Sequence, residues 1–355
     1  MDHSEITALQ AQCTTFVHWH GRQEAATLLS TIPPDTEVDR YGAGGVVAEL
    51  ERTVADLLGK PAAVFIPSGT MGQQSVLRVH ADRRARRTLI FHPACHLDQH
   101  EDRGYERLHG LVGRPVGDRS RLLTLADLRE VAEPAAALVL ELPQRDLGGT
   151  QPAWDDLVAQ TEWARDRKIA CHLDGARLWE SAAGYGRAPR DVAALFDSVY
   201  VSFYKGLGAL PGCCIAADDD LVAQVREWRK RMGGTLFALW PNAASALTCL
   251  RQRLPRMPGY LAHAIRLAEA VESLQGVEVV PRPPRTPMFH MILDVSADRF
   301  ADTVRRLASN DKVWTWGRTW AGSTDVRQRV ELTVGDATLA VSPEAFREII
   351  SAFVA

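Results

Sequence analysis

Two residues, each closing an apolar run, have the types and setting to do chemistry together: Asp174 and Lys205. The first run, Ile169-Ala170-Cys171-His172-Leu173, ends in Asp174-Gly175-Ala176-Arg177. The second, Ser198-Val199-Tyr200-Val201, leads through Ser202-Phe203-Tyr204 to Lys205-Gly206-Leu207-Gly208. Each reads as a buried parallel strand delivering a side chain to its C-terminal edge, where ligands of open α/β sheets collect. An acid and a lysine converging there suit pyridoxal 5′-phosphate (PLP). The lysine would form the Schiff base, and the acid would hold the pyridine nitrogen protonated so that the ring accepts electrons. The competing reading is an ordinary strand-end ion pair, because Asp-Gly is also a common turn signal.

Other residues fall into place around that pair. The chain has five lysines, and Lys60, Lys168, Lys230 and Lys312 sit in charged or helix-end settings, so Lys205 alone follows a buried run and precedes a glycine-rich turn. Ala62–Ile66 reads as a strand, and Pro67-Ser68-Gly69-Thr70 turns from it into a helix. Small residues at a helix N-terminus expose backbone N–H groups to an anion, so Ser68, Gly69 and Thr70 are the candidate phosphate cradle. Arg177, one turn past Asp174, is placed for the ring's phenolic oxygen, and Ser202 is a further phosphate-side candidate. His92, His96 and His100 invite a zinc reading, but they share a face only in a helix whose start Pro93 makes uncertain, and no metal is assigned.

His172-Leu173-Asp174-Gly175-Ala176-Arg177, Lys205-Gly206-Leu207-Gly208 and Ser68-Gly69-Thr70-Met71 closely resemble the matching segments of the threonine aldolase and β-eliminating lyase family. The resemblance covers Tyr41 to Gly234 well and the C-terminal third loosely. It implies a fold-type I PLP-dependent, aspartate aminotransferase-like plan: an α/β large domain with a mainly parallel sheet, and a small C-terminal α+β domain. His96 and Glu101 fall on the family's histidine and glutamate, which makes His96 the acid/base candidate lying against the ring and Glu101 a substrate-side residue. Tyr41-Gly42 matches a segment that tends to reach a neighbouring subunit's site, implying a homodimer or homotetramer with Tyr41 contributing to substrate binding.

The departures bear on substrate. Leu142-Pro143-Gln144-Arg145-Asp146 replaces the family's Asn-Thr-His-Asn core, and Thr235-Leu236-Phe237 stands where the family has Met-Arg-Gln. Glu331 falls where the family places its carboxylate-binding arginine. Arg318 and Arg329 are the nearest replacements, and Arg318, in the turn Trp316-Gly317-Arg318-Thr319-Trp320, is preferred. The activity implied is cleavage of the Cα–Cβ bond of a β-hydroxy amino acid, L-threonine-like or L-allo-threonine-like, to glycine and an aldehyde. The alternatives are β-elimination or transaldolase chemistry on another small amino acid, or a PLP-fold partner protein without catalysis.

The elements that must position these residues divide into an N-terminal segment (1–40), a PLP-binding large domain (41–255) and a small domain (256–355). Val47, Leu50, Val54, Leu57 and Leu58 repeat at helical spacing, with Gly59 placed to cap the helix. A short helix is expected within Ile6–Phe16, and a strand pair at Val313–Trp316 and Val330–Val334. With 46% hydrophobic and 24% charged residues and a net charge of −3, the chain reads as globular, with no reason to expect nucleic-acid or membrane partners. Six cysteines without CxxC spacing fit a reduced, cytoplasmic protein.

Overall fold

The apolar runs ending at Ile66, Phe91, Glu141, Asp174 and Ser202 all become strands of one sheet in the computed structural model, which describes every residue from Met1 to Ala355 except Ala321. The chain divides into two units. One comprises Ala25–Leu147 and Gln151–Pro255, the other Met1–Glu24, Gly148–Thr150 and Arg256–Ala355.

The first unit is built on a seven-stranded sheet. From edge to edge its strands are Ala62–Ile66, Cys213–Ala217, Ser198–Ser202, Ala170–Gly175, Ala137–Glu141, Thr88–Phe91 and Val112–Pro115. Cys213–Ala217 is antiparallel to both of its neighbours, and the other pairings are parallel. Strands of this kind are covered on both faces, which is why their residues are apolar continuously rather than alternately. Val64, Phe65 and Ile66 are fully buried, each worth about 1.5–3 kcal/mol of transfer free energy.

The imidazole within the sheet is satisfied. His172 Nδ1 lies 2.8 Å from Ser198 Oγ and its Nε2 lies 2.6 Å from Gln73 Oε1, while Ser198 Oγ also meets His80 Nε2 at 2.7 Å. Burial pushes His172 down to about 3, so this ring stays neutral and serves the core two residues before Asp174.

The helix Gly45–Leu58 packs an apolar face under the sheet and ends at Gly59, whose left-handed φ of 60° only glycine adopts without strain. The helix Gly69–Arg84 starts directly off the first strand, with the Ser68 hydroxyl accepting from the Met71 N–H. Before the helix Trp240–Arg253, Asp39 accepts from the N–H groups of Leu239 and Trp240 at 2.8 and 2.7 Å and from that of Gly42 at 2.7 Å.

In the second unit, Met288–Leu293 pairs antiparallel with both Val277–Val280 and Gln328–Thr333. Two expectations are corrected there. The helix expected within Ile6–Phe16 runs His3–Ala11 and gives way to a short strand, Thr15–Phe16. That strand pairs in parallel with Val313–Trp314, so Val313 pairs with Thr15 and not with the strand carrying Val330. The chain leaves the strand before Trp316, whose indole N–H donates to the Glu331 carbonyl at 2.8 Å and makes a side-chain link where a ladder was expected. Among the described residues no helix is long and apolar enough to cross a membrane.

Candidate active site

The carboxyl ends of the parallel strands in the first unit gather the candidate residues. Asp174 closes Ala170–Gly175, Glu141 closes Ala137–Glu141, and the two are paired in register. Asp174 is buried, and its Oδ1 accepts from the Ala176 N–H at 3.2 Å. Glu141 accepts from the N–H groups of His96 (3.0 Å) and Arg145 (3.1 Å) and from Gln144 Nε2 (3.2 Å). Burial and the neighbouring Asp174 push Glu141 up to about 7. Burial also lifts Asp174 above the ordinary carboxylate range, while Lys205 and His96 pull it down.

Lys205 follows the next strand tip, in a turn closed by the Gly208 N–H donating to the Lys205 carbonyl at 3.0 Å. Burial lowers the Lys205 ammonium below the ordinary lysine range, Arg177 adds repulsion, and Asp174 opposes both. His96, whose backbone N–H is held by Glu141, has its Nδ1 3.2 Å from Glu101 Oε1. Glu101 is buried and takes a long bond of 3.4 Å from Gln74 Nε2. Burial drives the two groups in opposite directions, Glu101 up to about 7 and His96 down to about 4. Both lose their charged form because neither is well solvated, so a weakly acidic medium leaves the pair uncharged.

The helix start at Gly69 has the makings of an anion cradle. Ser68 and Thr70 are exposed, Gly69 is buried, and a Cβ on Gly69 would collide with the Tyr200 hydroxyl and lie 3.2 Å from that of Tyr204. Glycine is therefore required at this helix start, which packs directly against the two tyrosine hydroxyls. The Ser202 hydroxyl donates to the Ala176 carbonyl at 2.8 Å, tying its strand tip to the turn after Asp174. Arg177 is buried at the head of the helix Leu178–Tyr185.

Two further candidates, Tyr41 and Arg318, are described by their local settings. Tyr41 is 58% exposed, with its ring edge-on to that of Phe237 at 5.4 Å. Arg318 is exposed in the second unit. Three residues that sequence reasoning passed over belong to the cluster: Gln74, Tyr200 and Glu180. Glu180 had a signal, since it is the one charge in Leu178-Trp179-Glu180-Ser181-Ala182-Ala183 and lies three residues after Arg177.

A parallel sheet of this order, with an acid and a lysine at neighbouring tips and a helix N-terminus beside them, defines the fold-type I class of PLP-dependent enzymes. The chain belongs to the beta-eliminating lyase family, whose profile matches residues 29–295. It is similar to aldolase vrtJ of Penicillium aethiopicum, 38% identical over 194 residues, 52% of this chain and 49% of that protein. The match therefore spans about half the length of that relative. It is also similar to low-specificity L-threonine aldolase 1 of Arabidopsis thaliana, 27% identical over 282 residues, 77% of this chain and 78% of that one. Among solved structures, a candidate L-allo-threonine aldolase from Listeria monocytogenes superposes with a TM-score of 0.92 at 35% identity, covering 99% of this chain and 98% of that one. Membership of the family implies PLP as the cofactor.

The residues present fit that group. Asp174 is a buried carboxylate with a backbone donor at one oxygen, and a cationic ring nitrogen would restore the charge balance that burial has upset. The helix start at Gly69 offers backbone donors of the kind a phosphate takes, and Lys205 supplies a primary amine with a lowered proton affinity.

Proposed function

We propose that the chain is a PLP-dependent carbon–carbon lyase that cleaves the Cα–Cβ bond of a β-hydroxy amino acid, L-threonine or L-allo-threonine in character, to glycine and an aldehyde. The observation that carries this reading is the Asp174–Lys205 pair at neighbouring strand tips with the His96–Glu101 pair beside Glu141. When bound, the cofactor supplies an electron sink for the pair of electrons released at Cα.

The protein's residues have separable tasks. Lys205 would hold the cofactor through its side-chain amine, and Asp174 would keep the ring nitrogen protonated. The N–H groups at Ser68-Gly69-Thr70 would hold the phosphate, with Arg177 as the candidate for the phenolic oxygen. Breaking Cα–Cβ requires removal of the proton from the β-hydroxyl. With Nδ1–H donating to Glu101, His96 turns its Nε2 lone pair outward as the base that takes this proton, directly or through one water. As the imidazole becomes cationic, Glu101 at 3.2 Å stabilises the charge.

The working unit of this reading is a homodimer or homotetramer. Tyr41, Phe237, Leu236 and Val38 are 58%, 63%, 47% and 58% exposed, an apolar surface of the kind a second copy of the chain covers. A cytoplasmic setting accords with six free cysteines, five of them buried.

The direct test supplies PLP together with L-threonine, L-allo-threonine and a panel of other amino acids. Glycine and an aldehyde in equal amounts are the expected products. An α-keto acid and ammonia without glycine would replace the aldol reading with β-elimination.

A further inference from the structure

The helix Leu178–Tyr185 carries a buried carboxyl that no step above uses. Glu180 is 1% exposed, and among the described residues neither of its carboxyl oxygens has a hydrogen-bond partner. It packs so closely on the lysine turn that a Cβ on Gly206 would collide with Glu180 Oε1 and stand 3.1 Å from Oε2. Leaving a carboxyl buried without donors costs stability, so the position needs a compensating partner. The charges facing it are cationic: Arg177, at the head of its own helix, and Lys205.

We propose that Glu180 is a positioning residue for Lys205: packed under Gly206, its carboxyl fixes the turn that aims the lysine and supplies a negative charge behind it. This rests on the cofactor reading given above and adds Glu180 to the carboxyls Asp174, Glu141 and Glu101 that act on the lysine, from beneath its own turn.

The other groups acting on Lys205 are accounted for from each packed element. Asp174 and Glu141 come from the two adjoining strand tips, Arg145 from the turn after Glu141, and Arg177 from the turn after Asp174. Glu101 and His96 reach it from the segment after Thr88–Phe91, and Cys213 from the antiparallel strand. Arg177 and Arg145 both disfavour a protonated lysine, so the favourable charge has to come from carboxylates. Burial holds Glu180 up at about 7 while Arg177 pulls it down, which leaves it able to ionise near neutral pH.

A carboxyl that merely braced the helix start would hold the turn without influencing the proton on the lysine. Glycine at 206 is what lets the carboxyl approach, so the two positions form a unit and give two independent handles.

The test is a pH titration of the visible absorption of the lysine-bound cofactor, in the PLP-loaded parent, Glu180→Gln and Gly206→Ala. Glutamine keeps size and shape and removes the charge; alanine at 206 pushes the carboxyl away. Both should retain cofactor and lower the protonation midpoint, Glu180→Gln by about one pH unit, the scale of a nearby opposite charge. A midpoint unchanged in both variants overturns the inference while leaving the cofactor reading intact. Should Glu180→Gln fail to fold, an unmoved midpoint in Gly206→Ala overturns it alone. A parent chain that gains no visible band with PLP overturns the cofactor reading and this inference together.

Discussion

Glu141 and Asp174 stand directly opposite one another at the ends of adjacent parallel strands, a half-buried carboxyl and a buried one in one register position. Like charges this close cannot both ionise cheaply, and the donors are divided unequally between them. Glu141 takes two backbone N–H groups and Gln144, so it is held by the fold; Asp174 takes the Ala176 N–H and is left facing Lys205 and His96. Asp174 is therefore the carboxyl with charge to give to a bound cation. Asp174→Asn should still bind PLP through Lys205 and the Gly69 turn, but lose turnover by on the order of a hundredfold or more, as a neutral amide cannot keep the ring nitrogen protonated. Parent-level turnover in this variant would move the role to Glu141.

Lys205→Ala tests the covalent link. Lys60 donates to the Phe196 carbonyl and Lys312 to the Ser309 carbonyl, each in its own structural bond away from a sheet tip. The variant should lose the visible band of lysine-bound cofactor and more than about a thousandfold of its turnover, measured as aldehyde released. A retained band would require another lysine.

Most of the sheet of the first unit was legible because buried strands announce themselves as unbroken apolar runs, two of them leading into Asp174 and Lys205; the exposed edge strand Val112–Pro115 carries no such run and was passed over. Asp174 and Lys205 could be read for that reason. Glu180 could not be placed, because its meaning comes from a contact with Gly206 across a turn, and sequence does not give side-chain direction through a turn. The small strands were misread on a similar ground: Thr15–Phe16 and Val313–Trp314 are too short to show alternation, and their partnership is between distant parts of the chain. Ser202 shows the same limit, since a hydroxyl three residues before a lysine gives no sign in sequence of its bond to the Ala176 carbonyl.

The His96–Glu101 pair sets a pH dependence with a definite sign. Glu101 has its carboxyl raised to about 7, so below that pH it is protonated and cannot favour an imidazolium. As pH rises through 7 it ionises, and His96 becomes the stronger base. kcat/KM should therefore rise with pH along a limb centred near 7. Glu101→Gln should remove the limb and lower the rate above pH 7 by on the order of 10²-fold, the scale of general-base assistance. A limb that persists in Glu101→Gln belongs to a different group.

Self-association is testable at the exposed pair Tyr41 and Phe237, whose rings are perpendicular with centroids 5.4 Å apart. Tyr41 holds a left-handed φ of 54°, and its N–H donates to the Phe237 carbonyl at 2.9 Å, so the two side chains are fixed relative to each other by the backbone. Phe237→Glu places a charge on this surface and should shift the chain toward monomer in sedimentation or light scattering, with Tm falling in step. A monomeric parent with full activity would remove the shared-site picture.

The last prediction concerns the arginine that grips the substrate carboxylate. Within the second unit, Arg329 is the more ordered candidate. It lies on the strand Gln328–Thr333, and its Nε donates to His290 Nδ1 at 3.0 Å. His290 is fully buried on the paired strand, with the Trp320 ring 5.7 Å away and Glu331 within 3.7 Å of its Nε2. A guanidinium clamped at Nε has the plane of its fork set in advance, which is what bidentate recognition of a carboxylate requires. Arg318 is exposed, so the free rotation of its long side chain would have to be frozen on binding. Arg329→Ala should thus raise KM for L-threonine by roughly 10–100-fold, the equivalent of a lost charge-assisted hydrogen bond of about 1.5–3 kcal/mol, and leave the cofactor band unchanged. Arg318→Ala should raise it less. His290→Phe, which removes the clamp and keeps the ring, should raise KM part of the way with kcat nearly constant. The reverse order, a large effect at Arg318 and none at Arg329, would assign the carboxylate to the Trp-rich turn, and silence at both would show that an arginine of the first unit holds it.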